Sequence, residues 1–384
     1  MIRFSALGDV AMLAPIVKEL VLTVPDVEVT VLSKPSCAPL FEGLAGNVRF
    51  IGADVKGEYR GVKGLARLFK ELHSMRFDYV ADMHGVLRTH YLTMRFRLAG
   101  YRVERIDKER AARRELTAPE GKKVMRQLTT SFDKYRDVLR RLGLYGEGGK
   151  AAENILNGKP VISFSDIDTE VAEMIGNGGV RLIGIAPFAA HGGKVLPVEK
   201  TERVVARLAE RGGVRLFLFG GGGEEKELME RWQNQWSGTV VAASSRLRSM
   251  RRELQLMSRL DVMLTMDSAN MHLASLVGTR VVSVWGATHP YAGFLGWGQS
   301  VSDCVQLPLP CRPCSVFGKQ PCRRGDFACM NNISEEEIVE KLKKKKMLEG
   351  VIGNNKGIML IENITSFKYT TYMVYFSITI YTAS

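Results

Sequence analysis

The chain has 384 residues, 45% of them hydrophobic and 25% charged, with a formal net charge of +13. That length and apolar content allow a sizeable buried core and exceed one ordinary domain, so two domains are expected. No window reaches the roughly 18 uninterrupted apolar residues of a spanning helix, and residues 1–15 carry Arg3 and Asp9 where a signal peptide has a long apolar run. A cytoplasmic location with at most peripheral membrane contact is therefore expected. The charge favours anionic partners (nucleotides, phosphorylated glycans, acidic lipid surfaces or nucleic acid) without choosing among them.

In chain order, Ile2–Ser5, Val27–Leu32, Val48–Ile51 and Phe77–Ala81 read as short strands separated by amphipathic stretches. That alternation predicts parallel βαβ units. The first strand breaks at Gly8 and opens a helix expected over Val10–Leu22, which puts Asp9 at the carboxyl end of a parallel strand, where open α/β sheets bind ligands. Asp9 is equally suited to capping that helix. Asp82-Met83-His84-Gly85-Val86-Leu87-Arg88 comes directly after the strand ending at Ala81 and should face the same edge. Its polar side chains can hydrogen-bond a sugar, or Asp82 can simply cap the next helix.

The basic stretch Arg88, Arg95, Arg97, Arg102, Arg105, Lys108, Arg110, Arg113 and Arg114 reads as a solvated surface whose density also suits a phosphate- or carboxylate-rich molecule. Stacking aromatics and a nucleic-acid fold are missing, so no nucleic-acid partner is expected. Phe132, Tyr135, Val138, Leu139 and Leu142 fall on one face of a helix over Ser131–Leu144, which closes the first domain. The glycine-rich stretch 146–168 reads as a linker, giving domains at 1–165 and 166–349, with residues 350–384 as an atypical tail.

A second strand series comprises Leu182–Ala186, Arg215–Phe219, Val240–Ala243, Val262–Thr265 and Val281–Val284, each an apolar run suited to burial on both faces. After the first of them come Gly192, Gly193 and Lys194, where glycines admit phosphates close to the backbone and the ammonium supplies a point charge. The spacing is not that of a Walker loop. Gly220–Gly223 with Glu224 comes after the second strand and could hold a ribose. Asp267, Ser268 and Ala269 come after the fourth and open a helix whose amides could bind a diphosphate, with His272 one turn on. Cys311, Cys314, Cys322 and Cys329 make a C-x2-C-x7-C-x6-C pattern that could hold a structural zinc. Free or locally paired thiols are the alternative. In the tail, the lysines at 343–346 precede an aromatic, uncharged end, which reads either as a loosely packed appendage or as a membrane-surface anchor.

Taken as an ordered set, Ser-Ala-Leu-Gly-Asp (5–9), Asp-Met-His-Gly (82–85), Gly-Gly-Lys (192–194), the 220–224 turn and Asp-Ser-Ala-Asn-Met-His-Leu-Ala (267–274) resemble glycosyltransferase family 9 over residues 1–345. These are the ADP-heptose:lipopolysaccharide heptosyltransferases. The resemblance implies the GT-B fold of two Rossmann-like domains with parallel sheets facing across a cleft, and an inverting transfer with no catalytic metal. It implies Asp9 as general base, Lys194, Glu224, Asp267, Ser268, Ala269 and His272 as the nucleotide-sugar site, and Ser5, Asp82, His84 and Arg88 as acceptor contacts. ADP-heptose is the implied donor and a lipopolysaccharide or lipid A-core molecule the acceptor, with the enzyme at the inner face of the cytoplasmic membrane. Transfer of another sugar to a different surface glycan, or donor binding without turnover, are the competing readings. The chain departs from the family pattern at Val195-Leu196, where Arg-Trp is usual, and at Ala269-Asn270, where Gly-Pro is usual.

Overall fold

The computed structural model describes residues 1–24, 26–145, 155–156 and 159–344. The described residues form one compact unit, and the expected tail at 350–384 lies outside them. The first half holds four short parallel strands: β1 (Val29–Ser33) pairs with β2 (Val48–Gly52), and β3 (Tyr79–Asp82) with β4 (Arg102–Arg105). Ile2 joins the two pairs by bridging Leu32 on one side and Asp82 on the other. The amino-terminal residues thus sit at the centre of the layer, and Ser5–Asp9 emerge at its carboxyl edge.

Where one helix was expected over Val10–Leu22, two are found: α1 (Leu7–Ala11) and α2 (Leu13–Thr23), meeting at Met12. Pro15 explains the break, since it has no N–H to give the carbonyl of Ala11 and is tolerated only in a first turn. Further on, α3 (Gly61–Ser74), α4 (Leu87–Leu98), α5 (Arg110–Leu116) and α6 (Ser131–Arg141) complete the half. Thr130 caps α6 by accepting from the Asp133 amide at 3.1 Å, and the expected face Phe132, Tyr135, Val138, Leu139 is buried.

The second half is a six-stranded parallel sheet in the order β10-β9-β8-β5-β6-β7, with β5 Arg181–Ala186, β6 Val214–Leu218, β7 Val240–Val241, β8 Val262–Met266, β9 Val281–Val284 and β10 Cys304–Val305. Every residue of β8 and β9 is buried, which is why these strands read as unbroken apolar runs. The two strands not anticipated, β4 and β10, are edges. Arg-Val-Glu-Arg and Cys-Val carry too little apolar pattern to announce themselves, as suits strands with one open side.

The largest hydrophobic core joins α1, α2 and α6 to the helix Ala269–Leu276 of the second half. Within it, Glu19 is fully buried and accepts from Arg136 Nε and Nη2 at 2.9 and 2.8 Å, tying α2 to α6. Charge in such a place is costly unless matched. Glu19→Gln is expected to lower unfolding free energy by about 3 kcal/mol, measurable as a shifted urea midpoint at unchanged slope. Among the described residues, no helix is long and apolar enough to cross a membrane.

Candidate active site

Two strand-edge clusters meet where α1 touches the helix Ala269–Leu276. In the second sheet β8, β5 and β6 are neighbours, so the loop after β5 carrying Lys194, the glycine turn after β6 and Asp267-Ser268 after β8 leave the same edge. The strand order of the sheet reverses between β5 and β8, the crevice where parallel sheets bind ligands. Lys194 Nζ lies 2.9 Å from Asp267 Oδ2, and Thr288 Oγ1 donates to the same oxygen at 2.8 Å. Asp267 therefore holds the ammonium in place at the head of the helix.

At that head, Ser268 Oγ and, one turn on, His272 Nδ1 are buried and have no hydrogen-bond partner among the described residues. An unmet buried polar atom costs about 1–3 kcal/mol. With the unpaired amides of a helix first turn, they give a surface that an oxyanion would complete. The imidazole of His272 has its pKa pushed down to about 4, chiefly by burial; Asp267 and Asp9 oppose the shift and Lys194 assists it. A neutral His272 thus feels charges from both halves of the protein.

The first half reaches this point through Gly8. A Cβ built there would lie 2.7 Å from His272 Cδ2 and 3.5 Å from Ala269 Cα, so a side chain at position 8 would push the two helices apart. Next to it, Asp9 accepts from the Ala6 amide at 3.1 Å and pairs with Arg3 Nη2 at 2.8 Å, both through Oδ2. The other oxygen, Oδ1, has no hydrogen-bond partner among the described residues. Burial pushes the Asp9 carboxyl up, but the Arg3 guanidinium and the Ala6 amide outweigh it and hold the group below the usual carboxylate range. Tyr135 fixes the backbone there by donating to the Asp9 carbonyl at 3.0 Å, under the Arg3 guanidinium.

Ser5 and His84 stand together beside Asp9's strand. The Phe4 amide faces His84 Nδ1 at 3.4 Å, which makes Nδ1 the acceptor and leaves Nε2–H to donate to Ser5 Oγ at 3.3 Å. Burial, then the cations of Arg3 and Lys108, push the His84 pKa down to about 4. Asp82 is fully buried: Oδ1 accepts from the amides of His84 and Gly85 at 2.9 and 2.8 Å, and Oδ2 pairs with Arg105. Neither amide belongs to α4, whose cap residue Val86 has no side-chain cap, so Asp82 does not cap that helix; it shapes the turn that presents His84. Arg88 lies exposed on α4, in no ion pair among the described residues. Glu224 is exposed at the start of its helix, and its neighbour Glu225 closes the glycine turn by accepting from the Gly221 amide at 2.6 Å.

Two residues of the site escape sequence reasoning. Arg3 stands out in the sequence only as a charge that argues against a signal peptide. Arg113 falls in a basic stretch that reads as solvated, yet it packs over the rings of Phe294 and Phe317 at 5.4 and 5.6 Å, with a buried Nε that has no partner among the described residues. Only the spacing of Arg113 from Lys108 and Arg110 hints at a cluster.

The four cysteines Cys311, Cys314, Cys322 and Cys329 line one small cavity with Arg312 and Arg323, and all are free. Burial raises the Cys322 thiol, but the amides of Phe327, Arg324, Gly325 and Asp326 outweigh it and hold the pKa below the ordinary thiol value. Among the described residues no group of three or more His, Cys, Asp or Glu is arranged to hold a metal ion.

Two of the low-titrating histidines, His84 and His272, give the site a pH signature. Their folded pKa near 4 lies below the unfolded value of 6.5, so the unfolded chain binds more protons between those limits. Stability is therefore complete above about pH 6.5 and is lost as pH falls toward 4. Melting temperature measured over that window should drop, and drop less steeply in His272→Gln.

Residues 65–321 match the glycosyltransferase family 9 (heptosyltransferase) family model. Lipooligosaccharide heptosyltransferase 2 of Campylobacter jejuni is 24% identical over 169 residues, which is 43% of this chain. The aligned part spans about half the length of that relative, 52%. The glycosyl transferase family 9 structure from Veillonella parvula superposes with a TM-score of 0.65 at 19% identity, covering 89% of this chain and 94% of the other. E. coli ADP-heptose lps heptosyltransferase II gives 0.58 at 16% identity, covering 89% and 96%. The expected GT-B arrangement of two parallel α/β sheets is thus the fold of these neighbours. With its family match running through both sheets and the motifs at 82–85, 192–194 and 267–274, the chain belongs to glycosyltransferase family 9.

Proposed function

We propose that this protein transfers a heptose from ADP-heptose to a hydroxyl of a lipopolysaccharide core acceptor, with inversion at the anomeric carbon. The observation that carries the reading is the meeting of Asp9, from the first sheet, with His272, Lys194 and the start of the Ala269–Leu276 helix, from the second. In the proposed step, Asp9 Oδ1 takes the proton of the acceptor hydroxyl as that oxygen bonds to the anomeric carbon. The bond from that carbon to the diphosphate breaks, and ADP leaves with the electron pair. Charge grows on the departing phosphate, where Lys194 and the helix amides are already fixed; such preorganised groups lower a barrier most.

The acceptor side supports an anionic sugar chain. Arg113 and Lys108 form no ion pair among the described residues, and both have pKa values lowered, Arg113 by burial despite the nearby carboxylates of Asp9 and Glu109, Lys108 by burial and then by Arg3, Arg110 and Arg113. Cations so crowded are relieved by a carboxylate or phosphate. A cytoplasmic, membrane-associated setting is part of the proposal, since the acceptor is a lipid.

A thermal-shift screen of the whole chain against ADP, UDP, ADP-heptose and UDP-sugars tests the donor. A ligand that binds only the folded state raises the melting temperature. ADP and ADP-heptose should raise it and UDP compounds should not; a UDP preference would replace the donor, and no response to any nucleotide would remove the reading.

A further inference from the structure

The helix α4 buries one face and leaves an apolar stripe on the other. At about 100° per residue, Leu87, Tyr91, Met94 and Leu98 fall within an arc of roughly 60°. Leu87 is 87% exposed, Met94 50% and Leu98 79%, an unusual price for three large apolar side chains on one helix. The opposite face, Thr89, Leu92, Thr93 and Phe96, is the buried one. Helices in water normally hide such a stripe, and contiguous exposed apolar surface marks a contact site.

Charge decides what the contact is. By the same rotation Arg88 and Arg95 flank the stripe on one side and Arg97 on the other. The helix carries no Asp or Glu, and none of the three arginines is in an ion pair among the described residues. An apolar line between cationic flanks, on a chain of net charge +13, is complementary to lipid headgroups that are anionic and overlie hydrocarbon. A protein partner's groove would need its own acidic rim, and nothing else here calls for one.

We infer that α4 docks this protein on an anionic phospholipid surface, with Leu87, Met94 and Leu98 entering the headgroup boundary and Arg88, Arg95 and Arg97 meeting phosphates. The docked face begins shortly after His84, so it would hold the mouth of the acceptor side at the bilayer. This deepens the proposed function by assigning its membrane contact to named side chains, but its test uses no sugar donor or acceptor.

The whole chain is mixed with vesicles of phosphatidylcholine alone or with about 30% phosphatidylglycerol to mimic an anionic leaflet, and bound protein is measured by flotation. Binding should require the anionic lipid, weaken as salt is raised, and fall about tenfold or more in Leu87→Gln/Leu98→Gln, two losses of apolar transfer. Both positions are exposed, so the variant should melt at the wild-type temperature and keep its nucleotide response. Unchanged vesicle binding in the variant, equal binding to neutral vesicles, or no binding by the wild type would each overturn the assignment. So would a wild-type dimer on a sizing column that the double variant dissolves, since the stripe would then be covered by a second copy. If vesicle binding depends on anionic lipid and on the two leucines while no sugar is transferred, the docking face stands and the proposed reaction falls.

Discussion

Asp9→Asn is expected to abolish measurable sugar transfer, lowering kcat by about a thousandfold or more, while leaving the thermal response to ADP intact. The magnitude reflects the loss of a positioned general base, typically about 10²–10⁴-fold. Asparagine keeps the size of the side chain and an oxygen to accept the Ala6 amide, so the turn at residues 6–9 should survive. The substitution removes the proton acceptor at Oδ1 and half of the pair with Arg3. Because Arg3 and the Ala6 amide hold the Asp9 carboxyl below the usual range, the base is ionised throughout neutral pH. The acid limb of kcat/KM assigned to it should accordingly lie below the ordinary carboxylate pKa. Stability linked to this group is present above its unfolded pKa and lost as pH falls through the folded one. A variant that still turns over at wild-type rate would show the proton going elsewhere.

Lys194→Ala should lower kcat about 10²–10³-fold, the usual cost of deleting one preorganised group at a developing charge, and should also weaken ADP binding. That second effect separates it from Asp9→Asn, which acts on chemistry alone. The reason lies with Asp267, almost fully buried, which would keep only Thr288 as a side-chain hydrogen-bond donor and would meet the incoming diphosphate with its own charge uncompensated. Isothermal titration with ADP and steady-state transfer rates measure the two quantities side by side. Wild-type ADP affinity in Lys194→Ala would mean that the ammonium serves Asp267 and not the nucleotide.

Much of the architecture is legible before any coordinates because buried parallel strands announce themselves. Val281–Val284 coincides with its strand, and the expected strands from Val48 to Val262 shift by at most two residues at their ends; in β8 and β9 both faces are buried and demand apolar side chains. Strand-end placement of Asp9, His84, Lys194 and Asp267 comes from the same alternation. Sequence does not reveal which side chain a polar group will meet. Asp82 looks like a candidate acceptor ligand, and in the fold its Oδ1 is taken by two amides while its Oδ2 stands in an ion pair with Arg105, a matter of the turn's geometry. Arg113 looks like surface, and its burial depends on Phe294 and Phe317, which arrive from nearly two hundred residues later. Arg3 is similar: its role rests on contacts with Asp9, Met83 and Tyr135, brought together only when Ile2 settles between β1 and β3. The apolar stripe of α4 is present in the pattern, but its exposure has meaning only once the buried face is known.

The position of a bound nucleotide decides between this mechanism and any other, and a crystal structure of the whole chain with ADP examines it directly. The diphosphate should lie against the Ser268 and Ala269 amides with an oxygen at hydrogen-bond distance from Lys194 Nζ, and the terminal phosphate on the side of Asp9. ADP held instead in the polar groove lined by Lys18, Ser163, Asp166 and Arg251, with Lys194 still paired only to Asp267, would contradict the mechanism.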